Sequence, residues 1–261
     1  MARRRLNGGE DDAAAFVYGV RPVGELLASR PHQIERIFVA RDARGPVGRI
    51  LREARHAGIP VSHVTRERLA LRLGRRTESQ GIAAVVAPRA YADSEEICRR
   101  AAAAAAGLLV LVDRMTDPGN LGSLLRTCAA AGVDGVLLSR EGTVGLTAHV
   151  LKASAGAAER VPVGRETRPP NRVAELRKRG FEVLALDPRG EVAWDELDLR
   201  GPTMIVAGGE ARGPRPAVAD ACSRKVAIPL AAGVESLNVA VAVAVLLFEA
   251  LRQRRVACGD S

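Results

Sequence analysis

The sequence predicts an α/β protein in which a parallel sheet forms the larger, C-terminal part and a small α/β domain precedes it. Three observations carry the prediction. Short apolar runs with the character of buried strands, Leu108 to Val112 foremost, alternate with helical patterns along the chain. Glycines stand where those helices should stop, at Gly58, Gly132 and Gly180. The 261 residues, 47% of them hydrophobic, suffice for a packed core.

Charge narrows the partners. A net charge of +9 favours a polyanion such as nucleic acid, because each phosphate contact releases counterions. Arginine far outnumbers lysine and alanine is abundant, so part of this basicity reflects a GC-rich coding bias. The four cysteines, Cys98, Cys128, Cys222 and Cys258, form no CxxC pair and have no histidine at ligand spacing. Neither a metal site nor a disulfide framework is expected, and a reducing cytoplasm fits. No signal-peptide core stands in MARRRLNGGEDD, and the alanine run 101–106 is too weakly apolar to span a membrane.

Four segments follow in order. Residues 1–15 lack periodicity and read as a disordered lead. Residues 16–88 alternate helix and strand: GVRPVGELLAS is a helix, IERIFVA a strand, GPVGRILREARHAG a helix, IPVSHVT a strand, RERLALRLG a helix and QGIAAVVAP a strand. Arginines from Arg21 to Arg76 crowd this segment, among them Arg44, Arg75 and Arg76, and mark it as the RNA-docking half. Residues 89–106 read as a helical linker without a strong apolar face. Residues 107–258 form the larger domain.

Three stretches of that domain carry chemistry. In LLVLVDRMTDPGNLGSLLRTCAAAGVDGVLLS a strand leads through a loop to a helix that Asn120 is expected to cap, and a second strand completes a βαβ unit. Arg126 is either an ordinary surface arginine or a functional one on a closely packed helix. TMIVAGGEARGP runs a buried strand into Gly208-Gly209-Glu210, which is either a plain tight turn or a place where backbone amides meet a ligand. In VAIPLAAGVESLNVAVAVAVLLFEA a strand is stopped by Pro229, and Ser236-Leu237-Asn238 open a helix that is apolar nearly all round and therefore expected to be buried. Ser236 and Asn238 are caps, catalytic groups or both. No GxGxxG, P-loop, HExxH or GxSxG pattern is present.

Taken together, DPGNLGSLLRTCAAAGV, KASAGAAERVPV, IVAGGEARGP and IPLAAGVESLNVAVAVAVLLFEA resemble the successive signature segments of the SpoU (TrmH) family of RNA ribose 2'-O-methyltransferases. The likeness spans roughly 107–255 and is strongest to the branch that methylates a guanosine ribose of 23S rRNA. SQGIAAVV resembles the end of that family's L30e-like RNA-binding domain. The resemblance implies a SPOUT fold, a parallel sheet with a C-terminal trefoil knot, and a homodimer whose site is completed across the interface. It implies S-adenosyl-L-methionine as cofactor, held by Gly208, Gly209, Ile228, Leu237 and Asn238. It also implies Arg126 as the catalytic arginine, with Asn120, Glu210, Ser236 and Asn238 fixing the arginine and the ribose. No metal or membrane is called for. Other targets of the same chemistry are a tRNA or a different 23S rRNA nucleotide, as in antibiotic-resistance enzymes, and a non-catalytic RNA- or ribosome-binding protein is the reading from another class. The chain departs from the family pattern at Gly119, where relatives often carry His, at Gly208-Gly209-Glu210-Ala211, where they often carry GSEG, and in IPL and LNVAVA, where IPM and LNVSVA are commoner.

Overall fold

The computed structural model describes residues 15–43, 45–73, 79–87, 89–209, 213–234 and 236–258. Most of the expected disordered lead, together with Arg44, Arg75, Arg76 and Glu210, lies outside them. The chain divides into two compact units, one comprising Met1–Tyr91 with Gly145–Ala148 and the other Ala92–Val144 with His149–Ser261.

The first unit holds β1 (Ala15–Tyr18), α1 (Val20–Ser29), β2 (Ile34–Ala40), α2 (Val47–His56), β3 (Val61–Val64), α3 (Arg66–Leu73) and β4 (Ile82–Val86). Its sheet runs β1-β4-β2-β3, with β4 antiparallel to both neighbours and β2 parallel to β3. Hydrophobic residues cover both faces of this sheet. Val23, Leu27, Ile50 and Ala54 of α1 and α2 pack with Ile34, Ile37 and Ile82, while Leu69 and Leu73 of α3 pack with Phe16, Phe38 and Ala83. The polar remainder of these helices faces water, so Arg49, Arg52, Arg55, Arg66, Arg68 and Arg72 are exposed. Strand β1 is absent from the sequence reading, because four residues leading directly into a helix leave no separate period to detect.

The second unit begins with α4 (Ser94–Ala103). This helix falls in the segment read from sequence as a linker, yet Ile97, Cys98 and Ala101 are buried in the core with Leu109, Leu111 and Leu137. Its apolar face is narrow and made partly of small side chains, which the pattern understates. There follow β5 (Leu108–Val112), α5 (Pro118–Ala131), β6 (Gly135–Ser139), α6 (Ala148–Ala153), β7 (Val163–Glu166), α7 (Pro169–Lys178), β8 (Glu182–Leu186), β9 (Val192–Ala193), β10 (Thr203–Ala207), α8 (Pro216–Ala219), β11 (Arg224–Ala227) and α9 (Val239–Cys258).

Seven strands form one sheet in the order β7-β6-β5-β10-β8-β11-β9, every pairing parallel. All five residues of β5, β6 and β10 are buried, as expected of strands covered on both faces. Strand β10 enters between β5 and β8, and β11 enters between β8 and β9. Helix α5 ends at Gly132, whose φ of 66° gives the left-handed turn that closes it. Helices α5 and α9 pack on one another. Helix α9 is not buried on every side: Val243, Leu246, Leu247 and Ala250 are buried, whereas Val241 and Phe248 are each 50% exposed. Those two lie seven residues apart, two turns along one face.

Candidate active site

The C-terminal ends of β8, β10 and β11, with the first turn of α9, line an open cleft. Strand C-termini are where open α/β sheets place small-molecule sites. Leu186, Val226, Ile228, Leu230, Leu237 and Val239 make its walls largely aliphatic. Gly208 and Gly209 contribute backbone, and Asp187 is the one acid among the described lining residues.

The two glycines are required for a reason different from the one read in the sequence. A Cβ on Gly208 would lie 1.9 Å from the carbonyl carbon of Gly213, and one on Gly209 would lie 2.4 Å from the carbonyl oxygen of Arg114. Two backbone passages therefore cross here at a separation only glycine permits, and the Gly213 amide donates to the Gly209 carbonyl at 2.9 Å. Any backbone approach to a ligand comes in addition to that packing.

Asp113 anchors the same crossing from the end of β5. It is fully buried and accepts four bonds from Arg215: from the amide at 2.8 Å, from Nε at 3.0 and 3.1 Å, and from Nη2 at 2.7 Å. Arg215 also pairs with Glu141 at 3.1 Å. The Asp113 carboxylate holds the Arg215 guanidinium protonated, raising its pKa further. Neither Asp113 nor Arg215 belonged to the sequence-predicted site, because 102 residues separate them.

Helix α5 corrects one expectation. Its N-cap is Asp117, whose carboxylate accepts from the Asn120 amide at 2.7 Å, and Pro118 occupies the first turn. An aspartate followed by proline at the first helical position outcompetes an asparagine three residues on. Asp117→Ala is expected to lower stability by about 1 kcal/mol and the melting temperature by roughly 2–4 °C. A circular-dichroism melt checks this, and an unchanged midpoint would remove the cap from the account.

Released from capping, the Asn120 side chain meets Asn238, whose Nδ2 donates to Asn120 Oδ1 at 2.8 Å. Asn238 Oδ1 at the same time accepts from the amides of Ala240 and Val241, at 2.9 and 3.4 Å. One side chain thus caps α9 and ties it to α5. Ser236 and Leu237 line the cleft and are exposed. Arg126 lies on the outward face of α5, away from the buried Leu121, Leu124, Leu125 and Cys128, and does not line the cleft. It makes no ion pair with a described residue. The structure therefore gathers Gly208, Gly209, Ile228, Ser236 and Leu237 around one cleft, links Asn120 to Asn238 and leaves Arg126 facing outward. Glu210 lies outside the described residues.

Sequence reading missed Leu186, Asp187 and Pro188. The signal was the end of the strand in FEVLALD, one of several strand ends with nothing else to single it out. Burial pushes the thiols of Cys98 and Cys222 up to about 12, which makes both poor nucleophiles. Among the described residues no cluster of His, Cys, Asp or Glu is placed to hold a metal, and no helix is long and apolar enough to cross a membrane.

Comparison with known proteins adds the lineage. The model of the SpoU rRNA Methylase family matches residues 107–248, and that of the RNA 2'-O ribose methyltransferase substrate-binding domain matches residues 16–92. The 23S rRNA (guanosine-2'-O-)-methyltransferase RlmB of Xanthomonas axonopodis pv. citri is 36% identical, over 92% of this chain and 96% of that protein. A tRNA/rRNA methyltransferase of Mycolicibacterium smegmatis that is otherwise uncharacterised is 36% identical, over 97% and 81%. Among solved structures, the SpoU methyltransferase AviRb from Streptomyces viridochromogenes, in complex with AdoMet, superposes with a TM-score of 0.59 at 25% identity, covering 95% of this chain and 94% of that one. With the parallel sheet and the cleft at its C-terminal edge, these matches establish that the chain belongs to the SpoU rRNA methylase family.

Proposed function

We propose that this S-adenosylmethionine-dependent RNA methyltransferase acts on a ribose 2'-hydroxyl, and that its target is a guanosine of 23S rRNA. The observation that carries the finer reading is the 36% identity to an RlmB enzyme across 96% of that enzyme's length. The exposed arginines of the first unit support an RNA-docking role for residues 16–88. Arg41, Arg52, Arg55 and Arg68 are exposed and make no ion pair with a described residue, which leaves them available to phosphates.

The cleft fits the cofactor. Aliphatic walls suit a flat purine, and the glycine backbone and Asp187 offer hydrogen-bonding groups. S-adenosylmethionine, when bound, supplies a sulfonium methyl that passes to the ribose oxygen as the C–S bond breaks, the electron pair staying on sulfur and the hydroxyl proton leaving. Residues of the chain must align the ribose and ease loss of that proton. Arg126 is assigned to this work as a clamp on an RNA phosphate and a stabiliser of the developing alkoxide. A guanidinium holds its proton too tightly to serve as a base, so the proton goes to a phosphate oxygen or to water. Asn120, Asn238 and Ser236 are assigned to orienting ribose and arginine, and Glu210 to the same task from the following loop.

A second copy of the chain completes this reading. Val241 and Phe248 of α9, with Val234 and Leu237 before it, leave apolar surface exposed. A homodimer burying that surface could bring the outward Arg126 of one protomer to the cleft of its partner. The trefoil knot is part of the proposal as well, supported by the entry of β10 and β11 between strands laid down before them.

Mass mapping of ribose methyls in rRNA and tRNA, in cells with and without the gene, tests the function. Loss of one 23S rRNA guanosine methyl is the expected result. A lost tRNA methyl or a different 23S rRNA nucleotide would redirect the target, and no change in either RNA would leave a binding module in place of an enzyme.

A further inference from the structure

Arg114 stands directly after Asp113, at the C-terminal edge of the sheet, and its carbonyl packs against Gly209 of the cleft. Its backbone has a φ of 66°, in the left-handed region that a Cβ disfavours. Three contacts fix this conformation. The Arg114 amide donates to Thr143 Oγ1 at 2.9 Å, and Thr143 is itself buried and bonded to Ser139 Oγ at 2.8 Å. On the other side, the carbonyl is pressed so close to Gly209 that no side chain fits between them. The Arg114 side chain starts across Gly142, where a Cβ would stand 3.4 Å from its Cγ.

The first two of these contacts are made by backbone atoms, and glycine would make them without strain. What arginine adds is an exposed side chain that forms no hydrogen bond or ion pair with a described residue. Among the described residues its guanidinium has no polar partner, and the strained backbone holds its base beside the cleft. Such outliers, kept in place by their surroundings, concentrate at functional sites.

We propose that Arg114 is a substrate-contacting residue, whose guanidinium takes a phosphate of the RNA strand at the mouth of the cofactor cleft. The proposal rests on the RNA methyltransferase reading. A guanidinium presents a planar fork of donors suited to two phosphate oxygens, and held at this edge it would set the register of the strand relative to Gly208 and Gly209.

The test uses the full chain with Arg114→Gly and Arg114→Lys, measuring RNA affinity over a salt series, S-adenosylmethionine affinity by calorimetry and melting temperature. For Arg114→Gly, RNA affinity is expected to fall roughly tenfold, the loss of one charge-assisted contact, and the slope of log affinity against log salt to flatten by about 1. Its melting temperature should stay level or rise by a few degrees, roughly, as strain is relieved, with cofactor affinity unchanged. Arg114→Lys should keep the wild-type slope at an intermediate affinity. An Arg114→Gly protein with unaltered RNA affinity and slope would overturn the proposal, as would one that melts early or loses cofactor, since either marks a structural role. Because RNA binding is read directly, a failure of the methylation reading appears separately, as wild-type protein that binds RNA and methylates none.

Discussion

Arg126→Ala is expected to leave S-adenosylmethionine affinity within about twofold of wild type and to lower methyl transfer by roughly 10³-fold or more. The first half follows from position: Arg126 faces outward from α5 and does not line the cleft proposed to hold the cofactor. The second half follows from its proposed role, since removing one preorganised donor to a developing oxyanion costs about 10²–10³ in rate, and loss of the phosphate clamp adds misalignment of the ribose. Calorimetry with the cofactor and a tritium-release assay on RNA separate the two. Arg126→Lys should recover only a small part of the activity, because the ammonium keeps the charge and lacks the fork. Substantial turnover by the alanine variant would end the assignment.

Asp113→Ala is expected to be strongly destabilising. Truncating one partner of a buried ion pair costs about 3–5 kcal/mol, because the surviving charge loses its counterpart. Arg215 retains Glu141 at 3.1 Å and is itself partly exposed, which places the loss near the lower end. A fall of roughly 6–12 °C in the melting temperature of the C-terminal unit follows. The same substitution frees the passage in which Gly213 crosses Gly208, so cofactor affinity should weaken along with stability. Differential scanning calorimetry with and without S-adenosylmethionine measures both. A midpoint within a degree or so of wild type would mean that the four bonds from Arg215 contribute nothing net.

Much of the local structure was legible in the sequence because it is locally determined. The unbroken apolar run Leu108–Val112 could only be a doubly covered strand, and Gly132 had to end α5. What escaped was set by partners distant in the chain. Asp113 and Arg215 meet across 102 residues, and the order in which β10 and β11 enter the sheet leaves no mark on strands that all read as the same apolar type. Helix α9 misled in the opposite sense: its apolar residues run nearly all round, which suggests burial, and yet Val241 and Phe248 are half exposed. Helix α4 was taken for a linker because its buried face rests on Ile97, Cys98 and Ala101, too few and too small for a clear pattern. At the site, the grouping of Gly208, Gly209, Ile228 and Leu237 was anticipated only through resemblance, since spacing alone could not tell a cofactor turn from a plain one.

The placement of β10 has a consequence for how the chain is made. A ribosome releases β5 and β8 well before residue 207, and until β10 arrives each presents a bare strand edge to the other across a gap one strand wide. At about 5–20 residues per second, the interval between Leu186 and Ala207 lasts roughly 1–4 s, during which both strand edges are open to pairing with any other nascent chain. The sheet cannot grow outward from a finished centre, because its centre is filled late and its last strand, β11, must enter another interior slot. Yield on synthesis should therefore depend on holding that slot clear, and refolding from denaturant should be slow for a domain of this size.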